Sequence, residues 1–409
     1  MMYHLSHPSK TFDAEITLPY SKSISNRLLI IQALCKNSFE ISNLSNAHDT
    51  KVLAETLAQN TPSIDVKDCG TAFRFLTAYL ATREGEFILT GSKQMKRRPI
   101  KYLVDALKQL GAEIHYLEKK GFPPLKISGK PLAGGRVDIN ASISSQFISA
   151  LLLIAPTLNQ GLELNLQGKI LSKPYIMMTI ECMRHFDIDV KWTKNIIHVF
   201  PQTYRSKNIK VEADWSSLAF FLQAMAFSKQ SSLKISGLFE NSWQGDAKML
   251  EVYSRFGIKS QFINGYLYLS KKDSISETDN YNINLIDLPD VAPAYCCTLA
   301  GINKTAVVSG LDNLKHKESH RLMVLHEELN KMKQNSRYTN SMFSLLPSTL
   351  SRSVLPFESH NDHRICMSLA PFGLLFDVEI NGVETVQKSF PNFWQEMKKI
   401  GFTINQTTG

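Results

Sequence analysis

Cations, hydroxyls and small residues recur in this chain at places where a helix is about to begin. In LPYSKSISNRLLIIQAL, Lys22, Ser23 and Arg27 occupy a loop feeding a helix expected to start near Ser25. Free N–H groups at a helix start, with two cations and hydroxyls beside them, suit an anion. The plainer reading is a Ser23 or Ser25 cap with the cations in water. In DCGTAFRFL, Gly70 and Thr71 precede another helix, where the missing side chain lets a ligand approach the backbone, or simply makes a turn. In MKRRPI, Arg97 and Arg98 stand ahead of Pro99 and a helix, where the helix dipole disfavours cations and an anionic partner would resolve the conflict. SISSQFISALLLIAP offers Ser144, Ser145 and Gln146 as donors for a phosphate or polyol ring, or as a cap on a core helix. LSKPY presents Ser172, Lys173 and Tyr175 in the same style.

Acids placed among cations add a second kind of chemistry. Asp290 lies in DLPDVAPAY, after a strand-like run and before a helix, and Glu318 lies in NLKHKESHR between Lys317 and Arg321. A Lys-Glu-x-x-Arg stretch makes either a helical ion-pair face, worth about 0.2–0.5 kcal/mol, or a proton donor between anion clamps. NDHR and KSFP put Arg364 and Lys388 at further element boundaries, and His363 reads as a structural hydrogen-bonding residue. Nucleophile elbow, Walker loop, Rossmann fingerprint and metal-ligand spacing are all missing from the sequence. The expectation is therefore no metal and no cofactor, with catalysis by positioning, acid–base groups and electrostatics.

The elements that must hold these residues repeat. An amphipathic helix followed by a hairpin appears in VDALKQLGAEIHYLEKKGFPPLKISG, MTIECMRHFDIDVKWTKNIIHVF and MLEVYSRFGIKSQFINGYLYLS. FWQEMKKIGFTINQ gives the helix and first strand again. The spacing is about 70–76 residues, so a missing copy is expected near Leu329, where HRLMVLHEELNKM supplies the helix. Each unit is too small for its own core, which implies two globular halves of about three units each. Lys207–Trp215 reads as a crossover between halves, and the stretch from Gln334 to Ser353 as short strands and loops.

The chain has 409 residues, 43% hydrophobic and 20% charged, which suits a folded protein of more than one domain. Lys and Arg number 46 against 37 Asp and Glu, a formal +9 that steers anions without any basic run of a nucleic-acid arm. Residues 1–10 carry no signal-like apolar stretch, and the longest apolar run, Phe147 to Pro156, is too short to span a bilayer. Six scattered cysteines without CxxC pairs read as free thiols in a reducing cytoplasm.

Together, SKSISNR, GTAFR, MKRRPI, SSQF, LSKPY, LPDVAP, KESHR, NDHR and KSFP, in that order over nearly the whole chain, resemble the 5-enolpyruvylshikimate-3-phosphate synthase family. The resemblance implies an α/β fold of two similar domains, each of about three βαβαββ units in an inverse α/β barrel, with the active site in the inter-domain cleft. It places the first domain at 18–212 and the second at 1–17 with 213–409. It implies transfer of the enolpyruvyl group of phosphoenolpyruvate to the 5-hydroxyl of shikimate 3-phosphate, releasing phosphate, in a cytoplasmic monomer sensitive to glyphosate. Neither nucleic acid nor membrane is an expected partner. By the same resemblance, Lys22, Ser23, Arg27, Ser144, Ser145, Gln146, Ser172, Tyr175, Asp290, Asn313 and Lys317 would bind shikimate 3-phosphate. Lys22, Gly70, Arg98, Gln146, Arg321, Arg364 and Lys388 would bind phosphoenolpyruvate. Asp290, assisted by Lys22, would take the hydroxyl proton and Glu318 would protonate the methylene carbon.

Two departures stand out. Asp68 replaces an asparagine common in the family; beside a phosphoenolpyruvate phosphate it would have to point away or pair with a cation, and Arg97, where an acid is frequent, could supply that partner. The stretch from Lys331 to Ser353 is short, which puts the regularity of the last unit in question. The nearest rival, UDP-N-acetylglucosamine enolpyruvyl transferase, has Lys-Asn at positions 22–23 and a reactive loop cysteine. Ser23, the Ser-Ser-Gln triplet and a cysteine-free Lys93–Ile100 loop argue against it. A non-catalytic anion-binding protein would have no use for both Asp290 and Glu318.

Overall fold

A computed structural model describes residues 1–59, 61–272 and 281–407. The chain divides into two units, Ser21–Val211 and Met1–Tyr20 joined with Glu212–Gly409. The second unit is thus interrupted in sequence. Its strand Thr11–Ile16 pairs in parallel with Gln230–Ser236, in register from Thr11↔Gln230 to Ile16↔Ile235.

One sheet pattern recurs in both units: two parallel strands, then an antiparallel hairpin whose second strand lies innermost. In Ser21–Val211 it occurs with Ser63–Asp65, Gly85–Thr90, Leu125–Gly129 and Glu113–Tyr116, and again with Gly135–Asn140, Leu162–Gln167, Ile196–Val199 and Val190–Thr193. In the other unit it occurs around Gln230–Ser236 and around Ala306–Ser309. The copy expected near Leu329 is present: helix Arg321–Asn330 leads into the hairpin Ser336–Tyr338 and Met342–Leu345. The final copy is completed by the chain's beginning. Met2–Ser6 takes the innermost hairpin position between Val378–Asn381 and Thr403–Thr407. The third sheet of Ser21–Val211 departs from the pattern, being only the parallel pair Ile41–Ser42 and Ile209–Lys210. The chain after helix His48–Ala58 runs within a few residues into Ser63–Asp65 of the next sheet, leaving no length for a hairpin.

Helices fall into two kinds, and sequence decides which. Those linking parallel strands are apolar all round and become the core of each unit. Every residue of Trp215–Phe227 is buried, and it packs on Ala292–Gly301 in one unit, while Gly70–Thr82 packs on Ser145–Ile154 in the other. Those leading into hairpins keep one apolar stripe, as in Lys101–Gln109, which buries Leu103, Val104, Ala106 and Leu107. Hairpin and crossover strands alternate, with Leu162, Leu164 and Leu166 inward along LELNLQ. Helix starts of both kinds carry the sequence motifs: GTAFR, SSQF, LPDVAP and NDHR at core helices, and MKRRPI, LSKPY, KESHR and KSFP at helices leading into hairpins.

Candidate active site

In Ser21–Val211, Lys22 opens the helix Lys22–Leu34, three residues earlier than the sequence suggests. Ser21, not Ser23 or Ser25, caps it, accepting from the Ile24 N–H at 3.4 Å; Ser25 is buried and accepts from the Ser45 N–H. A helix-competent residue run beginning directly after a serine is the signal that marked this cap. Ser23 is thereby freed from capping. Lys22 Nζ pairs with Asp49 Oδ2 at 3.1 Å, a buried carboxylate the sequence reading overlooked. Arg27 is 2% exposed and donates to Thr179 Oγ1 (2.7 Å), Ser23 O (2.7 Å), Ser149 Oγ (3.2 Å) and Tyr175 O (3.1 Å). These partners are neutral, and burial pulls the guanidinium down to about 10. A desolvated cation held by neutral oxygens is poised for an anion.

Gly70 is the first residue of Gly70–Thr82. A Cβ there would stand 2.9 Å from Arg98 Cζ and 2.6 Å from Arg74 Nη1, so glycine is what lets two guanidinium groups crowd one helix start. Arg74, unassigned by the sequence reading, is buried, bonds Gly70 O and lies over the Phe147 ring. Asp68 accepts a hydrogen bond from Ser92 Oγ, whereas Arg97 is exposed. Ser144 caps Ser145–Ile154 through the Gln146 N–H (3.3 Å), and the Gln146 side-chain amide donates to Thr71 Oγ1 (3.2 Å), joining two motifs. Ser172 is buried in the left-handed conformation (φ 55°) ahead of Lys173–His185, and Tyr175 lies in that helix's first turn.

In the other unit the acids and cations form one network. Asp290 Oδ1 receives Lys317 Nζ at 3.2 Å and Arg321 Nη1 at 3.3 Å. Arg364 bonds Asp290 twice, at the backbone O (3.0 Å) and at Oδ2 (3.1 Å). Glu318 pairs with Arg321 at 2.9 Å and Lys388 at 3.5 Å. The Glu318–Arg321 pair has the helical spacing, but the helix begins only at Arg321, capped by His320. So this is not a solvated helix face: Arg321 is 1% exposed. Asn313 precedes the short helical turn Leu314–His316, which leads to Lys317. His363 is buried.

Asp362 is the residue that sequence reasoning missed here. It has no exposed surface, accepts from Arg321 Nε (2.8 Å) and Nη2 (3.2 Å) and from Ser319 Oγ (3.1 Å), and caps His363–Leu369 through the Arg364 N–H (3.0 Å). An acid two residues before an arginine at a helix start, inside NDHR, was the available signal. Burial by itself would lower the Arg321 value, but the carboxylates of Asp362, Glu318 and Asp290 outweigh it and hold it above the ordinary arginine range. Burial likewise lowers Lys317, opposed by Asp290. The network sets Lys317, Arg321, Arg364 and Lys388 against Asp290, Glu318 and Asp362, an excess of one positive charge. That excess leaves the network one negative charge short of neutral, which a bound anion can supply.

A repeated βαβαββ scaffold whose helix starts gather guanidinium, ammonium and carboxylate groups defines an α/β protein built to handle small anions. Residues 54–397 match the family described as EPSP synthase (3-phosphoshikimate 1-carboxyvinyltransferase). The 3-phosphoshikimate 1-carboxyvinyltransferase of Bacteroides fragilis (strain YCH46) is 39% identical over 408 residues, covering 99% of both chains. That of Histophilus somni (strain 2336) is 33% identical, covering 96% of this chain and 98% of the relative. A solved EPSP synthase from Acinetobacter baumannii shares the fold with a TM-score of 0.76 at 22% identity, over 99% of this chain and 100% of that one. The chain belongs to the EPSP synthase family.

Proposed function

We propose that this protein transfers the enolpyruvyl group of phosphoenolpyruvate to the 5-hydroxyl of shikimate 3-phosphate and releases phosphate. The family match over residues 54–397 carries the reading, and the Asp290–Glu318 network supplies the groups that the reaction needs. The roles divide by charge and shape. Arg27 and Ser23 hold the carboxylate side of shikimate 3-phosphate; Ser144, Ser145, Ser172 and Lys317 hold its phosphate; Gln146, Tyr175 and Asn313 contact the ring and its hydroxyls. Arg321 and Arg364 take the phosphoenolpyruvate carboxylate, for which a planar guanidinium offers paired donors. Lys22, Arg98 and Lys388 take its phosphate, with Gly70 giving close backbone approach.

In the addition step, Asp290, assisted by Lys22, accepts the 5-hydroxyl proton as the oxygen bonds to C2. The enol methylene takes a proton and becomes a methyl group. Glu318 is the donor, although Arg321 and Lys388 favour its charged form. Substrate anions must draw those cations away before Glu318 holds a proton. In the elimination step the same carboxylate takes back a methyl proton as the C2–O bond to phosphate breaks, and the cations stabilise the leaving group. Substrates are small molecules, no cofactor enters these steps, and we propose a cytoplasmic monomer. The described residues contain no helix long and apolar enough to cross a membrane.

The test is phosphate release requiring both phosphoenolpyruvate and shikimate 3-phosphate. Turnover with UDP-N-acetylglucosamine in place of shikimate 3-phosphate would overturn the reading. Asp290→Ala and Glu318→Gln should each lower kcat by about 100-fold or more. Near-normal rates in both would remove the acid–base assignment.

A further inference from the structure

Helix Arg321–Asn330 is tied to the segment 358–364 at both ends. At its start the tie is Arg321 on Asp362 (2.8 Å). Toward its end Glu328, 1% exposed, accepts the Glu358 N–H at 2.9 Å and His360 Nε2 at 2.7 Å. Lys331 Nζ, at 2.8 Å from Glu328 Oε2, also donates to Pro356 O at 2.8 Å. A buried carboxylate accepts only, so His360 must present Nε2 as the protonated nitrogen. Both Glu328 oxygens are thereby engaged by one short stretch of chain and one lysine.

That stretch is in an unfavourable conformation. His360 and Asn361 are successive non-glycine residues with left-handed φ, 51° and 56°, and the turn closes with Asp362 N–H on Ser359 O at 2.9 Å. Such pairs persist where surroundings over-determine them. Asn361 is exposed, so of the two left-handed residues it is His360, on Glu328, that anchors the turn by its side chain, ahead of Asp362 on Arg321. The turn delivers Asp362 to Arg321 and starts the helix that carries Arg364 to Asp290.

We propose that the Glu328–His360 pair is a positioning device: it fixes the Asn361–Arg364 turn and so aims the Arg364 guanidinium at the phosphoenolpyruvate carboxylate. This rests on Arg364 being a phosphoenolpyruvate ligand. Neither member of the pair is among the proposed substrate ligands. Loss of the pair lets the turn relax, and the added freedom is overcome at saturating phosphoenolpyruvate, so KM rises while kcat stays.

His360→Asn separates the anchor from the backbone, because asparagine tolerates left-handed φ but its amide is too short to reach Glu328. The expected result is KM for phosphoenolpyruvate up about tenfold, with kcat within about threefold and KM for shikimate 3-phosphate within about twofold. His360→Gln, which keeps an N–H donor of similar reach, should recover most of the loss. Glu328→Gln, which keeps the shape, should raise the same KM. A phosphoenolpyruvate KM within twofold of the parent in His360→Asn overturns the proposal. So does a parallel change of kcat and both KM values, which signals general distortion. Arg364→Lys, run alongside, separates two failures. If it leaves KM for phosphoenolpyruvate unchanged, the ligand assignment falls and the positioning role with it. If it raises that KM while His360→Asn does not, the positioning role alone falls.

Discussion

Asp246 shows how one buried acid changes the response of the protein to pH. It is 3% exposed, accepts a hydrogen bond from Ser216 Oγ, and burial together with the charge of Asp290 raises it from 3.8 to about 6. The folded state therefore binds this proton more tightly than the unfolded chain does. Stability contributed by the neutral form is complete below about pH 4 and is lost as pH rises through about 6. Asp246→Asn should then gain about 1–3 kcal/mol at pH 8 and nothing at pH 4, read as denaturant midpoints at the two pH values. Equal midpoint shifts at both would show that the carboxyl is not strained by ionisation. Side chains such as Lys22 and Asp290 were legible in the sequence as reactive types at helix starts. Asp49, Asp362 and Glu328 were not, because their partners lie 27, 41 and 32 residues away and only packing brings them into contact.

At the scale of elements, the charged motifs sit where helices begin, and Gly70–Thr82 shows the constraint most sharply. Arg98 and Arg74 occupy the volume that a side chain at position 70 would need. Gly70→Ala must push at least the Arg98 guanidinium aside; with Gly70 beside the phosphoenolpyruvate phosphate, as proposed above, that phosphate would then meet both the methyl group and a displaced cation. We expect KM for phosphoenolpyruvate to rise about tenfold or more with shikimate 3-phosphate affinity nearly unchanged, measured by steady-state kinetics. An unchanged KM would show that the pocket lies away from this helix start. The switch from helical to alternating apolar spacing across Gly111, Asp187 and Gly257 made the helix–hairpin units visible in sequence. The short strands Ser336–Tyr338 and Met342–Leu345 were less visible, since so few residues cannot establish an alternation.

For the molecule as a whole, the two ends of the chain are structurally inseparable. Met2–Ser6 is an interior strand, paired on one side with Val378–Asn381 and on the other with Thr403–Thr407, and Leu5 has no exposed surface. Removing residues 1–6 would leave two open edges and a hole under the helical layer. The expected loss is about 4 kcal/mol or more, seen as a fall in Tm of about 10 °C or as insoluble expression. A Tm within about 2 °C of the intact chain would contradict that pairing.

The sequence by itself determined the repeat, the class of element at each motif and the types of charged group available, because periodicity and capping are local properties of the chain. It also carried the family resemblance, since the motifs keep their order. Only the tertiary structure decided which cation faces which carboxylate. Arg321 lies three residues from Glu318, yet its strongest tie is to Asp362, whose approach depends on a left-handed turn at His360 and Asn361 that no local preference demands. The same holds for the closing strand Met2–Ser6: its place in the last sheet follows from long-range pairing, and pairing between chain ends leaves no mark on either end alone.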